Sequence, residues 1–203
     1  MGIFDLSLYN LNFFEWHEMF AREYSIKTMD WFVENYQPKS IVDFGCGIGS
    51  YLESGYNKGI RKLKGFDIGG ENAKAYTPNF LHEFIEYKDC TLPIDCGQYD
   101  CVISFETAEH IEPSGTDVFV ENIANSCKVN SGLILFTAAP PEQDGCGHIN
   151  CHYKDFWLEK FSNHDCFEDE ILTKTISEAW KSLNVGCPDY ICNNLIVLKR
   201  NGQ

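Results

Sequence analysis

Ile41-Val42-Asp43-Phe44-Gly45-Cys46-Gly47-Ile48-Gly49-Ser50 is the stretch on which the reading of the whole chain turns. It opens as a short apolar run with a β-branched start, the pattern of a parallel strand buried on both faces. It then places three glycines at alternate positions, and Tyr51 to Tyr56 can begin a helix. A strand, a glycine turn and a helix bring backbone N–H groups and a positive helix end beside a ligand. Glycine suits such a turn because a side chain would hold the ligand off the backbone, and because the turn can demand positive φ. Asp43, at the strand end, can reach into the same crevice.

Upstream, Phe13, Trp16 and Phe20 fall at helical spacing and predict a helix over about 11–22. Ile26, Met29, Val33 and Tyr36 predict a second one, which Pro38 ends. Downstream, strands are expected at 63–68, 84–87, 99–105, 133–137 and 195–198. Helices are expected at 71–75, 116–127, 155–161 and around Leu172, Ile176, Ala179 and Leu183. Strands alternating with helices imply an α/β doubly wound, mostly parallel sheet with helices on both faces and a ligand at the strand C-termini. No repeat or linker divides the chain, so a single domain is expected over 1–203, with a helical segment at 1–38 and the core at 39–203. Residues 138–152, with Pro140, Pro141, Gly145 and Gly147, are read as one long irregular loop, either functional or disordered.

The chain has 203 residues and a formal charge of −14, from sixteen basic and thirty acidic side chains. That sign repels phosphate backbones, so bulk nucleic acid is disfavoured as a partner. Lys58, Arg61, Lys62 and Lys64 form the densest basic cluster and are read as a solvated edge. Ten cysteines are present, but the N-terminus shows no secretory pattern. Cys46 and Cys101 also sit where a staple does not fit, so reduced thiols and a cytoplasmic location are expected. Met1-Gly2 starts a myristoylation pattern that Leu6 breaks. No stretch is long and apolar enough to span a membrane.

The dinucleotide pattern Gly-x-Gly-x-x-Gly does not fit the turn: starting at Gly45 it puts Ser50 at the third glycine, and starting at Gly47 it puts Leu52 there. The spacing Asp-x-Gly-x-Gly-x-Gly instead resembles that of the S-adenosylmethionine-dependent, Rossmann-like class I methyltransferases. The likeness continues through Asp67, Asp89-Cys90-Thr91-Leu92-Pro93, Tyr99-Asp100-Cys101-Val102-Ile103-Ser104 and Glu109-His110-Ile111. Gly147-His148-Ile149-Asn150, Phe156-Trp157, Trp180 and Asn194-Leu195-Ile196-Val197 further resemble a small branch seen in sugar-modification and viral contexts. The resemblance implies S-adenosylmethionine as cofactor. Its holders would be Asp43, Gly45, Cys46, Gly47 and Gly49 at the turn, Asp67 and Ile68 at the ribose, Asp89 and Cys90 at the adenine, and Phe105 by the sulfonium, for which Glu106 and Trp16 are further candidates. The implied function is methyl transfer to a small-molecule or sugar-like acceptor. An RNA or nucleotide acceptor, or a non-catalytic S-adenosylmethionine-binding regulator, is the alternative.

Methyl transfer is an in-line displacement that draws much of its rate from alignment. An oxygen or protonated nitrogen acceptor also needs a base, and histidine suits neutral pH. His110, after the fourth strand, and His148, in the long loop, are the catalytic candidates. His17 is a weaker one, more consistent with packing. Cys146, His148, Cys151 and His152 offer zinc-type ligands, but the spacing matches no common structural site, so no metal is expected.

Overall fold

The structure, a computed structural model, describes residues 6–202; the Met1-Gly2 start lies outside them. Helix α1 (Leu11–Trp16) starts where the Asn10 side chain accepts the Phe13 amide, the capping bond that satisfies an orphan N–H of the first turn. It runs without a break through a π-helical turn (His17–Ala21) into α2 (Arg22–Tyr36). Two separate helices were expected. The Arg22 N–H instead reaches the His17 carbonyl five residues back. This one extra residue shifts the phase of the apolar stripe. Before it, Phe14 packs with Ile48 and Ala73; after it, Met29, Phe32 and Val33 pack on the sheet. The helix ends on Gln37 in the left-handed region, one residue before Pro38.

Strand β1 (Ser40–Phe44) is buried throughout. Val42 and Phe44 join the core on one face, with Phe119, Trp157 and Phe161. Ile41 joins the core on the other, with Leu52, Ile103 and Trp180. This two-sided burial explains why the strand reads as a continuous apolar run. Helix α3 (Ser50–Asn57) leads to β2 (Lys62–Asp67), and short α4 (Gly70–Lys74) leads to β3 (Ile85–Tyr87). Then follow β4 (Cys101–Ser104), α5 (Thr116–Asn125), β5 (Leu133–Phe136), α6 (Lys154–Ser162), β6 (Cys166–Glu168), α7 (Glu170–Ser182), α8 (Asp189–Asn194) and β7 (Ile196–Arg200).

The sheet has the order β3-β2-β1-β4-β5-β7-β6. Its first five strands are parallel, and β7 runs antiparallel to both β5 and β6. The doubly wound, mostly parallel sheet is therefore as expected, while β6 and α8 are additions. The chain order reverses beside β1, where β2 and β4 flank it, so the crevice opens over the carboxyl ends of β1 and β4. Arg22 lays a forked pair of bonds on Glu53, at 2.9 and 2.8 Å, and a third on Glu18 at 2.6 Å. The first two fasten the N-terminal helix to α3.

The basic cluster is spent on the surface: Lys58 bonds Glu34, Lys64 bonds Glu86, and Lys62 bonds the Gln98 carbonyl. None of the ten cysteines is in a disulfide. Among the described residues no helix is long and apolar enough to cross a membrane.

Candidate active site

A cavity of about 810 Å³ occupies the crevice, within the size range of small-molecule sites. Its floor is the turn after β1. Gly45, Gly47 and Gly49 all have positive φ, at +83°, +54° and +83°, which accounts for glycine at alternate positions. The three glycines nevertheless do different work. A Cβ on Gly45 would lie 2.2 Å from Thr107 Oγ1, and one on Gly49 would lie 2.9 Å from Ile85 Cδ1. One on Gly47 meets nothing within 4 Å. Gly45 and Gly47 line the cavity, as does Cys46 between them, whereas Gly49 does not; Gly49 admits close packing rather than a ligand.

The turn's amides depart from the expectation that they face the ligand. Gly45 and Cys46 both donate to the Phe66 carbonyl, at 2.8 and 3.0 Å, and Gly47 donates to Asp67 Oδ2 at 2.7 Å. The turn is thus clamped to β2, and what it offers a ligand is closeness of main chain. Asp67 Oδ1 also holds the Gly69 amide at 2.7 Å. Each Asp67 oxygen keeps a spare lone pair for a hydroxyl donor. Burial raises the Asp67 pKa, and the Gly69 and Gly47 bonds offset part of the rise.

Asp43 is almost fully buried and its Oδ2 has no hydrogen-bond partner. Burial, then the Asp67 charge, pushes its pKa well above the usual carboxylate range. A buried carboxylate without a partner is costly, so this oxygen suits a cationic or N–H-bearing ligand. Asp89 Oδ1 takes the Thr91 amide and hydroxyl, at 2.8 and 2.7 Å. Ile68, Cys90 and Phe105 complete this half of the wall. Nine of the ten residues expected to hold the cofactor therefore face one cavity, with Gly49 the exception. An open cradle at Gly47, an orphaned Asp43 oxygen and spare acceptors on Asp67 and Asp89 fit an adenosyl amino acid.

The N-terminal segment forms the roof. Phe13, Phe14, Trp16 and His17 line the cavity, and the Tyr9 carbonyl is held by Asn72 at 2.9 Å. His17 stacks obliquely on Phe13, with ring centres 4.5 Å apart. Burial, then the nearby His110, lowers its pKa to about 4. It is thus a packed, neutral wall residue.

The opposite wall joins the end of β4 to the long loop. Glu106 is held at φ +48°, a strained setting for a non-glycine residue and a frequent mark of function. Its Oε2 accepts Gln143 Nε2 at 2.5 Å, and Gln143 Oε1 accepts Asn194 Nδ2 at 2.8 Å. The loop is further pinned by the Ile149 and Asn150 amides on the Glu109 carbonyl, both at 2.9 Å. Residues 138–152 therefore build a wall of the cavity.

Glu109, His110 and His148 converge there. The Glu109 side chain is fully buried, and neither of its oxygens has a hydrogen-bond partner. Burial, then the Glu106 charge, raises its pKa to about 8; the Glu109 and Ala139 amides offset part of the rise without hydrogen-bond geometry. His148 Nε2 stands 3.9 Å from Glu109 Oε1, and the His110 and His148 rings meet edge to face at 5.0 Å. His110 Nδ1 lies 3.1 Å from the Gly147 carbonyl, and His148 Nδ1 lies 3.0 Å from the Gln143 carbonyl. A carbonyl only accepts, so each Nδ1 is the donor and each ring keeps Nε2 as its basic nitrogen. Burial, then His148, lowers the His110 pKa to about 4, so it is neutral near pH 7.

Both catalytic candidates thus reach the cavity, and they reach each other. From the sequence Glu106 was a candidate, with Phe105 and Trp16, to face the sulfonium, and all three line the cavity; Glu109 was given no role. Glu109 stood inside the Glu-His-Ile motif beside His110, while nothing in the sequence marks the backbone strain at Glu106. The Cys146, His148, Cys151, His152 grouping does not assemble. His152 stacks on Phe156 at 3.7 Å and bonds Asn150, while His148 faces Glu109.

The sequence matches a family model described as a methyltransferase domain over residues 16–171. No individually curated protein matches it. Among solved structures, an O-methyltransferase from a polyketide-forming multienzyme of Brevibacillus brevis, bound to S-adenosyl-L-homocysteine, superposes with a TM-score of 0.61 at 17% identity, covering 87% of this chain and 72% of that one. A sugar N-methyltransferase from Streptoalloteichus sp. gives 0.63 at 12% identity, covering 89% and 88%. A SAM-dependent methyltransferase from Archaeoglobus fulgidus gives 0.61 at 17% identity, covering 92% and 97%. At such identities the likeness is one of fold.

Proposed function

Because this chain belongs to the methyltransferase domain family, we propose that it transfers the methyl group of S-adenosylmethionine to a small-molecule or sugar-like acceptor. The observation that carries this reading is the set of acids at successive strand ends, Asp43, Asp67 and Asp89, facing one cavity around the glycine turn. Asp67 takes the ribose hydroxyls in charge-assisted bonds, Asp89 the adenine amine and Asp43 the ammonium group. Phe105 offers an aromatic face to the sulfonium. The bound cofactor supplies a methyl carbon already activated by that sulfonium. The protein then has to align the acceptor, keep water out and provide for the acceptor's proton. In this reading His110 and His148 handle that proton, and Glu109 lies beside them as a buried carboxyl whose raised pKa favours its protonated form. A small acceptor agrees with the cavity volume and with a formal charge of −14.

S-adenosylhomocysteine is expected to raise the thermal midpoint through linkage, while NAD leaves it unchanged. A rise with NAD alone would sink the reading. For the acceptor side, His110→Ala should lower turnover by roughly 10²-fold or more while the affinity for S-adenosylhomocysteine changes little. Single-turnover rates and calorimetry on the same preparation separate the two quantities. An equal loss of both would make His110 a structural residue.

A further inference from the structure

We propose that Glu109, His110 and His148 bind a divalent metal ion on the acceptor side of the cavity. Each contributes one ligand atom, and the three atoms lie within 4.8 Å of one another. Two details set the cluster apart from a chance meeting of polar side chains. Both imidazoles give Nδ1–H to a backbone carbonyl, His110 to Gly147 and His148 to Gln143. That outer bond orients a metal-ligating histidine and leaves Nε2 as the donor. The carboxylate between them is fully buried with both oxygens unused, so it lacks a positive partner that a divalent ion would supply.

Imidazole and carboxylate together suit zinc, manganese, cobalt or ferrous ions better than calcium. Ligand atoms around such an ion stand roughly 3 Å apart at bond lengths of about 2.1 Å, so the three must draw together by about 1–2 Å. His148 can supply that movement, since it follows Gly145 and Gly147 in the long loop. A Cβ on Gly145 would lie 2.1 Å from His148 Nε2, so glycine there leaves room beside the donor nitrogen. What the ion does rests on the methyl-transfer reading: with both Nε2 atoms coordinating it, the ion takes over the histidines' part by placing positive charge beside an oxygen acceptor and making its hydroxyl easier to deprotonate. Whether the ion binds does not depend on that reading.

The test uses untagged full-length protein stripped with a chelator and titrated with Co²⁺. One equivalent should bind per chain, with the visible absorption of nitrogen- and oxygen-ligated cobalt, and Zn²⁺ should displace it. Glu109→Gln and His148→Ala should each weaken binding by about tenfold or more, while Cys146→Ser/Cys151→Ser leaves it unchanged. On Zn²⁺ addition, the imidazole ¹⁵N signals of both His110 and His148 should shift, a readout that needs no variant to fold. Indifference of binding to both ligand variants, histidine signals that stay in place, or loss of binding in the cysteine variant would each overturn the proposal. The thermal response to S-adenosylhomocysteine, measured on the same samples, reports on the cofactor site separately.

Discussion

Asp67→Ala should remove most of the S-adenosylhomocysteine binding. The variant loses the acceptor of two ribose hydroxyls, and hydrogen bonds to a charged group contribute about 1.5–3 kcal/mol each. That predicts a weakening of about 10² to 10⁴-fold. The same carboxylate holds the Gly47 and Gly69 amides. Alanine leaves both donors unsatisfied, at about 1–3 kcal/mol of stability for each that stays buried. Asp67→Asn separates the two effects. Its amide oxygen can still accept one backbone N–H, so stability should recover more than affinity. Calorimetry and urea unfolding on all three proteins give the comparison. An unchanged dissociation constant in Asp67→Ala would mean that the ribose is held elsewhere.

Gly45→Ala is the other change expected to be severe, and Gly47→Ala is its control. At φ +83° a Cβ on residue 45 would lie 2.2 Å from Thr107 Oγ1 and 2.4 Å from Cγ2. The left-handed setting costs about 1–2 kcal/mol for an L-residue, and forcing extra volume against a packed neighbour adds about 1–3 kcal/mol. A loss of about 2–5 kcal/mol is a large share of the stability of an ordinary domain, about 5–15 kcal/mol. Gly47→Ala shares the backbone cost but meets nothing within 4 Å, so its methyl group enters the cavity. It should spare most of the stability and weaken the cofactor. Thr107→Gly in the Gly45→Ala background should restore part of the midpoint, since it removes the collision and leaves the φ cost. Failure of that rescue would show that backbone conformation, not the neighbour, demands glycine at 45.

These variants also mark where sequence reasoning succeeded and where it stopped. The parallel strands were legible because burial on both faces forces continuous apolar runs, as in Ile41-Val42 and Val102-Ile103. Glycines at alternate positions were legible as a turn because few other residues tolerate positive φ. The three-residue strand β6, Cys166-Phe167-Glu168, was not legible, since so short a segment carries no measurable period. Helix α8 escaped for the same reason. The join between α1 and α2 was misread as a break, because one extra residue shifts the phase of the apolar stripe without ending the helix.

Local pattern, then, was enough to establish an α/β sheet, a glycine turn and acids at the strand ends, because each depends on the conformational limits of neighbouring residues. Only the folded chain decided how those pieces are used. The turn amides bind β2 because Phe66 and Asp67 come alongside in the parallel register. Gly49 serves packing because Ile85 arrives from β3. Glu109 and His110 meet His148 across a separation that no local period spans, brought together by the bonds from Ile149 and Asn150 to the Glu109 carbonyl. Contacts of that range are set by how elements pack, and packing is a property of the whole sheet rather than of any one segment.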